Sequence, residues 1–260
     1  MIFACQKAPL EQLQLYSNSS RHSVLIEGPA GCGKTYMALQ YAKMLGVSDF
    51  HVVDPTVQAI RDSIDECFKV DTPVVLCIEN LDRGVAGASY TILKFLEEPA
   101  SNIYIVVTCR NVNKVPDTII SRSVSVNAAP PIDADIDLYA RSKDGKKYNE
   151  ISGSLIWRCV RTFGDADVVL SMNANQLEYF RALQDLARFR DPVSQTSWTL
   201  QHYPDNTETP IELVIRYLME ICNSTTVKKS GIACLSDISA GRVAAHAAVA
   251  KFVLDCKYLE

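Results

Sequence analysis

Eight consecutive residues, Gly28-Pro29-Ala30-Gly31-Cys32-Gly33-Lys34-Thr35, have the types and spacing for phosphate chemistry. They fit G-x-x-x-x-G-K-[ST] with no mismatch. Glycines let backbone N–H groups turn inward around a phosphate, Lys34 brings a positive charge, and the Thr35 hydroxyl can ligate Mg²⁺. The pattern carries this meaning between a strand and a helix. The apolar stretch Ser23–Glu27 precedes it, and Tyr36–Leu45 reads as a helix. Phosphates then meet a helix N-terminus, where unpaired N–H groups and the helix dipole favour anions. ATP with Mg²⁺ is the expected ligand. A second group follows the apolar run Pro73–Ile78: Glu79 and Asn80. A P-loop ATPase needs a carboxylate beside Mg²⁺ and a polar group to position water. Glu79 supplies the carboxylate; capping of the next helix is its alternative reading.

The elements that position these groups alternate. A helix over 8–20 turns Leu10, Leu13 and Leu15 inward. Strands are expected at 23–27, 50–54, 73–78, 103–108 and 124–126. Helices are expected at 33–46, 56–69, 88–97 and 116–120, with Val57, Ile60, Ile64 and Phe68 on one face of the second. Continuous apolar strands between helices argue a parallel, helix-covered α/β sheet. Its ligands bind beyond the carboxyl ends of the strands. Ala128–Pro131 marks a boundary, so 1–128 is the P-loop core. Residues 129–173 form a small helical unit, with helices at 132–142, 149–160 and 165–171 and a solvated loop at 144–147. Residues 174–260 are helical at 175–190, 210–223 and 236–258, with a polar connection at 191–209.

Bulk properties narrow the function. The formal net charge is −4, and a freestanding nucleic-acid binder usually carries a basic surface. DNA contacts must therefore be local or shared with partner subunits. No apolar run has the length of a membrane span, and the N-terminus lacks the basic and long apolar regions of a signal peptide. Nine scattered cysteines without a C-x-x-C pair read as reduced thiols in a cytoplasmic protein. No zinc-ligand spacing occurs.

Two further segments resemble a known family. Tyr90-Thr-Ile-Leu-Lys-Phe-Leu-Glu-Glu-Pro99 is similar to the "ALLKTLEEP" helix of bacterial clamp-loader ATPases, and Lys114-Val-Pro-Asp-Thr-Ile-Ile-Ser-Arg122 to their "KLPxTIxSRC" segment. Ile60-Arg61 matches the family's "IR" helix. The resemblance covers residues 8 to about 170 and is to AAA+ clamp-loader subunits of the gamma/tau or delta-prime type. It implies an AAA+ sheet, a helical lid at 129–173 and a collar at 174–260 that joins subunits. The collar helices are shorter than cellular relatives have, which fits a viral or phage origin.

The resemblance assigns roles. The loop Gly28, Pro29, Ala30, Gly31, Cys32, Gly33, Lys34 and Thr35 binds ATP, and Thr35 with Glu79 serves Mg²⁺. Arg122 stands at the arginine-finger position and would reach the γ-phosphate held by the adjacent subunit; a surface salt bridge is the bland reading. Glu79-Asn80 replaces the family's Asp-Glu pair, Arg110 stands at the sensor-1 position, Asp167 at the sensor-2 position, and Ser123 replaces a cysteine. Asn80 cannot take a proton as Glu would. Asp167 would repel a γ-phosphate. These departures point to ATP binding with weak or absent hydrolysis. The implied partners are other clamp-loader subunits, a sliding clamp and primer–template DNA, with Arg83, Gly84 and the 88–97 helix as DNA-contact candidates. A delta-prime-like scaffold and a helicase loader are the alternatives.

Overall fold

The computed structural model describes residues 3–19, 22–85, 87–97, 102–186, 211–222, 225–239 and Phe252. Five parallel strands, β1 (Ser23–Glu27), β2 (Asp49–Val53), β3 (Val74–Ile78), β4 (Ile103–Cys109) and β5 (Val124–Asn127), form one sheet in the order β2-β3-β4-β1-β5. The expected parallel architecture is thus present. Alternate residues of β1, β3 and β4 enter two cores. Leu25, Leu76, Ile78 and Val107 pack on one face with Ile60, Ile64 and Ile92. Val24, Ile26, Val75, Cys77 and Val106 pack on the other with Leu13, Met37 and Tyr41. Because both faces are covered, the strands read as unbroken apolar runs rather than as alternation.

Helices α1 (Ala4–Ser17) and α2 (Lys34–Met44) cover one face, and α3 (Val57–Cys67), α4 (Ala88–Glu97) and the short α5 (Asp117–Ile120) the other. Two expectations on their faces are corrected. Leu15 is 72% exposed and Phe68 56% exposed. Both lie at helix ends, where the 3.6-residue pattern continues past the part that meets the sheet. Phe68 packs on Phe95 instead, with ring centroids 5.7 Å apart. Helix α1 also begins four residues earlier than expected, with Pro9 inside it. Its N-terminus is capped from far along the chain: Ala4 N donates to Asp135 Oδ1 (2.8 Å) and Cys5 N to Asp135 Oδ2 (3.0 Å).

The chain divides into two compact units, Met1–Ile136 with Thr162–Gly164, and Asp137–Arg161 with the chain from Asp165 onward. The second contains most of α6 (Asp133–Ile151), then α7 (Leu155–Arg158), most of α8 (Phe163–Ser171), α9 (Ala174–Leu186), α10 (Ile211–Cys222) and α11 (Thr225–Ser239). The expected loop at 144–147 is instead a kink at Asp144 inside α6. Its carboxylate accepts from Lys147 N (3.0 Å), capping the helix that restarts there. The helix expected at 149–160 is broken by a turn at 152–154. Helix α9 opens with a reciprocal capping box between Asn173 and Gln176. Helix α11 was not expected. Gly231 lets it approach Met219 of α10 so closely that a Cβ would overlap the thioether sulfur. The connection at 191–209 lies outside the described residues, as does most of the helix expected at 236–258.

Candidate functional site

The glycine loop leaves the carboxyl end of β1 and enters α2, as the sequence requires. Gly31 (φ +68°) and Gly33 (φ +90°) hold left-handed backbone that other residues rarely adopt. Lys34 is buried and its Nζ donates to the carbonyls of Gly28 and Pro29, each at 2.8 Å. Burial lowers its pKa below the usual lysine value of 10.5, and the nearby Arg110 charge adds to this, while Cys32, Cys109 and Asp82 oppose it. Thr35 Oγ1 donates to Glu79 Oε1 in a short contact. The strand order places β4 between β1 and β3, yet the residue following β3 still reaches the first turn of α2.

Asn80 is the one non-glycine residue with positive φ among the described residues (φ 49°). Asn is among the few side chains that tolerate this region. Its N–H donates to Thr108 Oγ1 (3.0 Å), and Thr108 is buried near the end of β4. Arg110 follows that strand, and its N–H donates to Asp82 Oδ1 (3.0 Å). Burial pushes the thiols of Cys77 and Cys109, at or near the ends of these strands, up to about 12. They are protonated and inert at neutral pH.

Arg122 lies elsewhere. Strand register pairs Val24 with Val124, so Arg122 sits at the amino edge of the sheet, at the level just before β1. The glycine loop leaves the opposite edge, after Glu27. Six residue levels at 3.3 Å each separate the two by about 20 Å, more than an arginine side chain spans. The guanidinium is held by Glu97 Oε1 (2.9 Å) and by the Thr118 carbonyl (3.0 Å). Next to it Ser123 is buried, its hydroxyl 2.7 Å from that of Ser23. A hydrogen-bonded serine pair thus fills the position where the resembling family has cysteine. In the second unit Asp167 Oδ1 accepts from Tyr139 (2.6 Å) and Lys143 (2.5 Å).

Several neighbours of the loop carry no sequence signal. Thr162–Gly164 crosses it: Phe163 N donates to the Gly31 carbonyl (3.0 Å), and a Cβ on Gly31 would lie 2.5 Å from Thr162 Oγ1. Gln6 lies against Gly33. Both are brought there by tertiary folding, and no local pattern announces them.

Sheet order, glycine loop and flanking helices define a P-loop α/β fold. The fold is similar to that of a DNA polymerase III gamma subunit-related protein from Thermotoga maritima (17% identity, 96% of this chain and 99% of that chain covered, TM-score 0.60). It is also similar to the RuvB Holliday junction branch migration motor of Thermotoga maritima (14% identity, 89% and 80% covered, TM-score 0.50). At these identities the likeness is one of fold. Residues 56–131, from α3 through β5, match the family described as DNA polymerase III, delta subunit. That span includes Glu79, Asn80, Arg110 and Arg122 but not the glycine loop. No curated protein matches the chain.

Proposed function

We propose that the chain is a clamp-loader subunit that binds ATP and Mg²⁺ at an intersubunit site and helps load a sliding clamp onto primer–template DNA during replication. The separation of Lys34 and Arg122 along one sheet supports this best. A loop at one edge and an arginine at the other cannot serve one nucleotide within one chain. They can serve two nucleotides in a row of subunits, each loop meeting the next subunit's Arg122.

The loop fits a triphosphate. Its amides and Lys34 would take the β- and γ-phosphates. Thr35 and Glu79, already in contact, would hold Mg²⁺. When bound, the metal would neutralise phosphate charge. Arg110 would face the γ-phosphate from the sensor-1 position. Asn80 offers no carboxylate to take a proton from water, and Asp167 no cation, so hydrolysis at this chain's own site is weak or absent. Arg122 would exchange Glu97 for a neighbour's γ-phosphate. In this reading 1–128 is the AAA+ core, 129–173 the lid and 174–260 the collar that joins other loader subunits, and the protein works in the cytoplasm. Among the described residues no helix is long and apolar enough to cross a membrane.

The test is retention of the source's sliding clamp on primed circular DNA, with the chain, its copurifying subunits and ATP. ATP-dependent retention that is lost with Lys34→Ala supports the proposal. Copurification with a helicase and no clamp would overturn it in favour of a helicase loader.

A further inference from the structure

Arg122 folds back on the helix it follows. Its Nη1 donates to the Thr118 carbonyl of α5 (3.0 Å), and its Nη2 lies 2.9 Å from Glu97 Oε1 of α4. Glu97 stands in the last turn of α4 (Ala88–Glu97). That turn disfavours a carboxylate, because the last carbonyls of a helix carry partial negative charge. The guanidinium supplies the compensating charge. The two helices share a core beneath the pair, where Ile92 and Leu96 of α4 are buried together with Ile119 of α5. The backbones that carry the two charges are therefore fixed. Their side chains stay open to solvent, Arg122 at 35% and Glu97 at 54% exposed. An ion pair so exposed is weak and is screened by salt, so a stronger anion can break it. A γ-phosphate is such an anion: it carries more charge than a carboxylate and can take the guanidinium fork through two bonds.

We infer that Glu97 is the resident counter-ion of Arg122, that it competes with the neighbouring subunit's γ-phosphate, and that it thereby weakens that subunit's hold on ATP but not on ADP. This rests on the proposal above that Arg122 serves a neighbour's nucleotide, and it names how that contact is regulated. Arg122 must leave Glu97 before it can grip a phosphate. The apparent affinity next door is then reduced by the fraction of Arg122 that is free. An exposed ion pair shifts such a balance by a factor of about two to five. Glu97 therefore weakens ATP binding at the neighbouring site by about two- to sixfold. ADP offers no γ-phosphate in exchange for the carboxylate, so Arg122 stays on Glu97 beside it. Only ATP draws the guanidinium across the interface. The competition makes the contact between subunits conditional on the nucleotide, since a ligand shifts an equilibrium only by its differential affinity for the two states.

The experiment uses the loader assembled from this chain and its copurifying subunits. ATPγS and ADP, each with Mg²⁺, are titrated into assemblies that carry the parent chain, Glu97→Gln, Arg122→Ala or both changes. Arg122→Ala marks the neighbouring site as the one whose ATPγS affinity it lowers. In about 50 mM salt, Glu97→Gln should tighten ATPγS at that site by about two- to sixfold and leave ADP unchanged. In about 1 M salt the gain should all but vanish. The double variant should bind ATPγS as Arg122→Ala alone does, because no guanidinium remains to be released. A gain as large for ADP, or one that survives in the Arg122→Ala background, overturns the competition and makes Glu97 a general repulsive charge. Unchanged or weaker ATPγS binding with Glu97→Gln, where Arg122→Ala does act, overturns it too and leaves the role of Arg122 intact. If Arg122→Ala weakens no site, the assignment of Arg122 to a neighbour's nucleotide falls, and the inference falls with it.

Discussion

Replacing Gly31 by alanine tests the phosphate loop and the segment crossing it together. Two costs can be worked from the geometry. Gly31 has φ +68°, and left-handed backbone costs a residue with a Cβ about 1–2 kcal/mol. The added Cβ would also lie 2.5 Å from Thr162 Oγ1 and 2.8 Å from Thr162 Cβ. Such overpacking costs about 1–3 kcal/mol. The sum is about 2–5 kcal/mol, or roughly 10 °C in melting midpoint for a chain of this size. The two parts are separable. Thr162→Gly removes both overlapping atoms but leaves φ unchanged. In a double-mutant cycle, Gly31→Ala should cost only about 1–2 kcal/mol in the Thr162→Gly background. Thermal unfolding of the four proteins, followed by circular dichroism, measures this. A shift under about 3 °C for Gly31→Ala, or the same penalty in both backgrounds, would refute the reasoning.

Three further outcomes are expected. Arg216 grips Asp165 through two hydrogen bonds of 2.7 Å and donates to the Cys159 carbonyl (2.9 Å), largely away from solvent. Arg216→Met leaves a mostly buried carboxylate short of partners and should cost about 3–5 kcal/mol in urea unfolding, whereas pairing it with Asp165→Leu should recover most of that. Asn80→Glu should raise steady-state phosphate release by about 10² if a missing general base limits turnover, at the cost of about 1 kcal/mol for glutamate in left-handed backbone; an unchanged rate would place the limit elsewhere. The lowered Lys34 pKa sets a pH dependence. The phosphates favour the charged ammonium, so ATP affinity should fall as pH rises through the lowered value, below the ordinary 10.5. Binding in that window should take up a proton, which calorimetry in two buffers of different ionisation heat would detect; no uptake there would contradict the assignment.

What was legible in the sequence was what local chemistry decides. Val74–Ile78 is apolar and buried on both faces, and only a sheet covered twice needs that. The loop Gly28–Thr35 announced itself because left-handed backbone at Gly31 and Gly33 demands glycine. What was hidden depends on distant partners. The start of α1 is fixed by Asp135, about 130 positions away, so no local cap marked it. Leu15 and Phe68 kept the helical period but extend beyond the sheet that would bury them. Asp144 looked like part of a loop because its capping bond, rather than its type, decides that the helix resumes. Within the candidate site, Lys34, Thr35 and Glu79 were recoverable from spacing. Thr108, Thr162 and Gln6 were not, since each meets the site through the sheet or through a chain crossing. The serine at 123 read as a departure and proves to be half of a buried pair with Ser23.

The central claim is that one chain offers its loop to one nucleotide and Arg122 to another. Single-turnover ATP cleavage by the assembled loader, with Arg122→Ala introduced into this chain alone, tests it most directly. Cleavage at the neighbouring subunit's site should slow by about 10³ or more, while ATP affinity at this chain's own loop stays unchanged. Unaltered cleavage next door, or lost nucleotide binding at the chain's own Lys34, would contradict it.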